Sequence, residues 1–178
     1  EHLPIHLIDL PAIKPRDIRR ILRQLEAKHG KMDLVIVDYL QLQEPDAPGQ
    51  NRAQDVGSVA KALKNICKEF DVPIIAAAHL SRAMEARQNK RPILPDLKES
   101  GGIEENADTV MFIYRPEYYE GAYDESGAPK MHKESNLPLD GLAEVIISKH
   151  RNGPTGMTRL NFRKQFTRFE SYTTRTAG

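Results

Sequence analysis

The sequence predicts an α/β fold, a mostly parallel sheet with flanking helices, and three features predict it. Leu34-Val35-Ile36-Val37 is a short, all-apolar run rich in β-branched residues, the composition of a parallel strand covered on both faces. Val72-Pro73-Ile74-Ile75-Ala76-Ala77-Ala78 is a second run of the same kind. Between them Val56, Val59, Ala60, Leu63, Ile66, Cys67 and Phe70 trace a helical stripe. Strand, helix and strand in that order are what a parallel crossover unit requires.

The remaining elements follow from spacing and punctuation. A short extended start is expected around Ile5 to Ile8. Pro15 suits the first turn of a helix in which Ile18, Ile21, Leu22 and Leu25 form one face, and Gly30 is a stop signal. Glu44-Pro45-Asp46-Ala47-Pro48-Gly49 is a loop by its turn formers. A polar stretch from Ser81 to Gly102 leads to a strand, Thr109 to Tyr114. Arg115 to Gly141 lacks apolar periodicity and reads as a mobile surface loop. Ala143 to Ser148 and Thr158 to Phe162 read as strands of an antiparallel C-terminal hairpin, joined by Asn152-Gly153-Pro154-Thr155-Gly156, with a last short strand near Phe166 to Ser171. Residues 1–172 are expected to form one body and residues 173–178 a disordered tail.

Length and composition set limits on function. A chain of 178 residues suits one domain with a real core. Its formal charge of +1 is too small to attract nucleic acid globally, so any DNA site must be local. No apolar run approaches the roughly 20 residues of a membrane-spanning helix, and Glu1-His2-Leu3-Pro4 has no basic-then-apolar leader pattern. A cytoplasmic protein without a membrane partner is expected. The single cysteine, Cys67, falls on the apolar helix face and suits a reducing compartment.

Four segments could carry chemistry. Asp38 ends the first strand, and a carboxylate at the carboxyl edge of a parallel strand projects into the crevice where such sheets bind ligands. In phosphate-transfer enzymes that group holds magnesium, often through water; a loop-capping aspartate is the plain alternative. The residue after Asp38 is Tyr39, so a general base must come from elsewhere, and Glu44 has no spacing argument in its favour. His79, followed by Ser81 and Arg82, ends the second strand on the same edge and could sense a terminal phosphate, or simply cap a helix. Lys98-Glu99-Ser100-Gly101-Gly102 combines a cation, a hydroxyl and backbone-exposing glycines, a composition suited to holding phosphate, or to a solvated loop. Lys149 and Arg151 lie two residues apart at a strand end, where both could reach one polyphosphate.

In order along the chain, these segments resemble the DnaB family of ring helicases. The carrying stretches are Val35 to Leu42, Val72 to Ile75 with His79 to Arg82, Arg91-Pro92, Asp96 to Gly101 with Ile103-Glu104 and Ala107-Asp108, Met111 to Arg115 with Glu117 to Tyr119, and Lys149 to Gly156. The resemblance implies a RecA-like P-loop NTPase core and an ATP-dependent, hexameric replicative helicase. Such a motor uses ATP and Mg2+, translocates on single-stranded DNA, and works with a primase and a helicase loader. It further implies that Asp38 is the Walker B aspartate near the metal and that His79 is the phosphate sensor. Bacterial members usually have glutamine at the sensor position, whereas phage helicase-primases and their mitochondrial relatives use histidine. Lys98, Glu99 and Gly101 match the loop that contacts single-stranded DNA, with lysine where the family usually has arginine; lysine keeps the charge and loses the bidentate fork. Lys149 and Arg151 match the pair that reaches the neighbouring subunit's ATP, Arg151 being the arginine finger.

None of the eleven glycines opens a GK[ST] triplet, Gly30-Lys31 being followed by Met32, so the phosphate-binding G-x-x-x-x-G-K-[ST] is not in this sequence. The chain is therefore expected to be the C-terminal part of a motor and to hydrolyse no ATP alone. Two other readings remain open at this level: a non-catalytic module that binds single-stranded DNA or caps a helicase ring, and a RecA-like recombination ATPase. The Asp96 to Gly101 and Asn152 to Gly156 stretches argue against the second.

Overall fold

The computed structural model describes residues 4–100 and 102–172, with the backbone alone for residues 98–100; the tail expected at 173–178 lies outside the described residues. The chain divides into two compact units, one comprising the residues up to Ser81 with Leu97–Ala107, the other Arg82–Asp96 with everything from Asp108 onward.

In the first unit, helix α1 spans Pro15–His29 and strand β1 spans Val35–Val37. Helix α2 (Arg52–Phe70) crosses to strand β2 (Ile74–Ala76), which pairs parallel to β1 with Ile36 opposite Ile75. A single-turn helix, α3 (Ile103–Asn106), completes this unit. The helix ends follow sequence chemistry. Pro15 opens α1, the Asp17 carboxylate accepts from the Lys14 N–H at 3.4 Å, and Gly30 takes φ 82° at the C-cap. Asn51 caps α2 by accepting from the Gln54 N–H at 3.0 Å. The α2 stripe is the core: Val56, Val59, Leu63, Ile66 and Phe70 are all buried, with Ile18 and Leu22 of α1. Outside that core, Arg19 and Arg23 of α1 both bind Glu69 of α2, at 2.7 and 2.8 Å. Cys67 is half-buried on α2.

The extended start expected at Ile5 to Ile8 forms no strand, and Ile5 and Leu7 are exposed. The expectation that the parallel strands are covered on both faces also needs correction. Val37 is buried, whereas Ile36 is 67% and Ile75 50% exposed. Side chains alternate along a strand, and among the described residues of this unit no helix covers the face that carries Ile36 and Ile75.

The second unit is antiparallel. Strands β3 (Thr109–Tyr114), β4 (Leu142–His150), β5 (Gly156–Arg163) and β6 (Arg168–Ser171) pair in that order, so the expected hairpin is the centre of a four-stranded sheet. Strand β3 alternates, with Val110, Phe112 and Tyr114 buried and Met111 and Ile113 exposed. The register between β3 and β4 shifts at Val110/Met111, so that Val110 faces Lys149 and Met111 faces Ile147. This bulge lies next to Lys149 and Arg151.

The Arg115 to Gly141 segment is knitted by hydrogen bonds rather than left as an open loop. It begins with a short helix, α4 (Pro116–Glu120). Bridges then join Tyr123 to Pro129 and Met131 to Pro138. The Asp124 carboxylate accepts from the N–H groups of Ser126 and Ala128, and the His132 ring pairs with the Ser135 hydroxyl at 2.9 Å. Side-chain capping of this sort leaves no periodic apolar signature, which is why the sequence pattern does not reveal it.

Glu117 ties the segment down. It is only 7% exposed, its carboxylate lies 2.6 Å from Arg115 and 2.8 Å from Lys164, and it accepts from the Gly141 N–H at 2.8 Å. Gly141 has φ 72°, and a Cβ there would lie 2.8 Å from the Asn161 side-chain oxygen, so only glycine fits without rearrangement. Burial pushes the Glu117 carboxyl up, but hydrogen bonds from Lys164, Arg115 and Gly141 outweigh it and hold the pKa below the ordinary carboxylate value. A carboxyl depressed in the folded state contributes stability above its unfolded pKa, about 4.3, and that contribution is lost as pH falls through the folded value. Denaturant midpoints should therefore decline on acidification through this window, and Glu117→Gln should flatten the decline; an unchanged pH profile in the variant would refute this linkage.

Candidate functional site

Asp38 and His79 come together as the sequence suggests. The parallel ladder continues past the strand ends, with the Ala77 N–H donating to Val37 O at 2.9 Å and the Leu40 N–H donating to Ala77 O at 2.8 Å. Leu40 is buried and anchors the turn that follows Asp38, leaving the Asp38 carboxylate exposed at the sheet edge. On the adjoining chain His79 is exposed too, and its imidazole stacks on Tyr39 with ring centroids 4.0 Å apart and planes 19° from parallel. One edge thus carries an exposed carboxylate and an oriented imidazole.

The chemistry of this edge fits a nucleotide with its metal. Among the described residues no group of three or more His, Cys, Asp or Glu side chains converges to hold a metal ion. A lone carboxylate suits magnesium, which keeps several waters and takes further oxygens from substrate phosphates. Asp38 would hold the metal and His79 would donate to a phosphate oxygen.

In the second unit Lys149 lies near the end of β4 and Arg151 in the turn beyond it. The Arg151 N–H donates to Asp108 O at 2.8 Å, and its guanidinium lies 3.4 Å from the Asp108 carboxylate. The Arg151 side chain remains half exposed. The sequence offered Asp108 only as part of a motif, and its pairing with Arg151 appears once the strands are in register.

The polar stretch Arg82 to Asp96 is built around two buried carboxylates. Asp96 binds the Arg87 guanidinium at 2.7 Å and accepts from the Ile93 N–H at 2.8 Å. Glu144 of β4 is fully buried, 2.5 Å from Arg91, 3.4 Å from Arg159 and 3.7 Å from His132. Lys98 and Glu99 lie in a 3-10 segment, Leu94–Ser100; their side chains and Gly101 are outside the described residues. Sequence reasoning missed Glu144 and Gln41, because neither stands at a strand end or in a glycine-rich loop.

Comparison with known proteins agrees with these features. The family model of the DnaB-like helicase C terminal domain matches residues 1–171. A Replicative DNA helicase DnaB from Rickettsia typhi is 40% identical over 177 residues, covering 98% of this chain and 35% of its own length. Its counterpart from Buchnera aphidicola is 38% identical over 168 residues, covering 94% of this chain and 34% of the relative. This chain therefore spans about a third of the length of such relatives. A solved DnaB-like replicative helicase, described with its interactions with primase, superposes with a TM-score of 0.80 at 37% identity, over 93% of this chain and 37% of that one. A second solved structure, an isolated ATPase domain, superposes with a TM-score of 0.77 at 38% identity, over 90% of this chain and 52% of that one. By the near-complete family match and the order of its strand-end residues, the chain belongs to the DnaB-like helicase C terminal domain family.

Proposed function

We propose that this chain is the C-terminal part of the motor of an ATP-dependent, hexameric replicative DNA helicase that moves along single-stranded DNA and opens duplex ahead of it. The reading is carried by the Asp38 and His79 edge, where a carboxylate and an imidazole end neighbouring parallel strands. Bound MgATP supplies the phosphoryl group whose transfer to water drives movement. Asp38 holds the metal, His79 meets the terminal phosphate, and Lys149 and Arg151 reach the nucleotide of the next subunit in a homohexamer. Lys98, Glu99 and Gly101 contact the DNA backbone. A primase and a helicase loader are the expected protein partners, and the protein acts in the cytoplasm; among the described residues no helix is long and apolar enough to cross a membrane.

The exposed Ile36 and Ile75 support the view that this chain is one part of a larger core, because two apolar side chains on the inner strands of a sheet would be buried by the rest of a RecA-like domain. The family match weighs against a recombination ATPase. The test is strand displacement from a forked duplex by the complete protein. ATP-dependent unwinding is expected there, with no ATP hydrolysis by residues 1–178 alone. DNA-stimulated hydrolysis by the isolated chain, lost on Arg151→Ala, would contradict the division of labour.

Contacts to phosphate release counterions, so DNA affinity of the complete protein should fall steeply with salt, and Lys98→Ala should lower the slope of log affinity against log salt by about 1. A salt slope that Lys98→Ala leaves untouched would remove Lys98 from the DNA site.

A further inference from the structure

The His79 side chain is exposed at the end of a short strand, a place where a ring normally samples several rotamers. Here it is restrained twice. Tyr39 fixes the plane of the ring by stacking. Gln41 fixes the backbone beneath it: the Gln41 Nε2 donates to His79 O at 3.1 Å, and the His79 N–H donates to the Gln41 Oε1 at 3.1 Å.

A primary amide that donates and accepts toward one residue imitates a peptide group, and the complementarity of the two bonds fixes which end is oxygen. Gln41 thereby adds a rung to the ladder that runs through Leu40 and Ala77. Its own carbonyl accepts from the Arg52 guanidinium at the start of α2, and the turn it sits in is held by buried Leu40. The amide is therefore itself well braced between a helix start and a buried anchor.

We propose that Gln41 is a positioning residue for His79, holding the main chain of residue 79 so that the imidazole stands at the Asp38 edge in a single orientation. The proposal rests on the reading of His79 as the phosphate contact. Gln41 acts through His79, so its loss should affect the chemical step and not nucleotide binding.

In the complete protein, Gln41→Ala should lower kcat for DNA-stimulated ATP hydrolysis about 10- to 100-fold while KM for ATP changes less than about twofold, since small misplacements of a reacting group have effects of this size. Hydrogen exchange, read by mass spectrometry on peptides covering residues 76–81, should speed up by about tenfold or more without nucleotide, because the His79 amide loses its acceptor. Gln41→Glu keeps size and the acceptor but cannot donate to His79 O; it should preserve most of the exchange protection and fall between wild type and alanine in kcat. In a His79→Ala background, Gln41→Ala should cost no further kcat. Unchanged exchange, an additive loss in the double variant, or a rise in KM without a fall in kcat would each overturn the proposal. A defective His79→Ala beside an unimpaired Gln41→Ala would overturn it alone, whereas a fully active His79→Ala would overturn the reading of His79 and the proposal with it.

Discussion

Arg151→Ala in the complete protein should lower kcat for ATP hydrolysis by about 10³- to 10⁵-fold, the range an arginine finger contributes, while ATP binding stays nearly unchanged. The separation arises because a finger meets charge that develops on the transferred phosphoryl group, so it acts in the transition state far more than in the ground state. The resting contact of Arg151 does not oppose this use. Its guanidinium lies 3.4 Å from Asp108 and both side chains are about half exposed, and a surface pair of that kind contributes only about 0–1 kcal/mol. Exchanging one carboxylate for a phosphate oxygen is then inexpensive. The main-chain bond from Arg151 to Asp108 O fixes where the side chain leaves the turn, which leaves the guanidinium as the mobile part.

Acting across a subunit boundary has a further consequence. Subunits carrying Arg151→Ala still own an intact nucleotide site, and subunits with a damaged phosphate-binding loop still own an intact finger. Mixtures should recover part of the activity, because some boundaries then combine the two intact halves. The measurement is hydrolysis against mixing ratio, with ring composition followed by native mass spectrometry. Mixed rings without any recovery would place Arg151 in its own subunit's site.

The same two strand ends that suggest this chemistry were legible without coordinates, for a physical reason. A parallel strand exposes its carboxyl edge, so an apolar run followed by a polar residue marks both the strand and the site, as at Val37-Asp38 and Ala78-His79. Helices α1 and α2 were equally legible, since one face of each meets the core and caps mark their ends. What escaped was long-range pairing. Gln41 looks like any glutamine after a strand until His79 is set beside it, and Asp108 meets Arg151 only through the β3 and β4 register. The coverage of β1 and β2 was misjudged because an apolar residue does not say which part of a longer polypeptide will bury it. The Arg115 to Gly141 segment was misjudged because its order comes from carboxylate and imidazole caps rather than from apolar spacing.

Glu144→Ala should destabilise the antiparallel unit by about 3–5 kcal/mol, the usual cost of removing one partner from a buried ion cluster. Glu144 is fully buried between Arg91, Arg159 and His132, and both arginine side chains are more than two-thirds buried. Removing the carboxylate leaves two guanidinium groups facing each other with no counter-charge. The loss therefore comes mainly from stranded cations and not from the attraction that the pair supplied. The geometry sharpens that distinction, because neither carboxylate oxygen accepts a well-aligned hydrogen bond although Arg91 lies 2.5 Å away. A cluster that is desolvated but imperfectly aligned recovers little of its desolvation cost. Replacing all three residues together, Glu144→Leu with Arg91→Met and Arg159→Met, should then bring stability back to within about 1 kcal/mol of the starting protein or above it. Urea unfolding of the single and triple variants, monitored by circular dichroism, decides the matter. A triple variant as unstable as Glu144→Ala would mean that the ion cluster itself, and not the avoidance of unpaired charge, holds β4 to the Arg82–Asp96 segment.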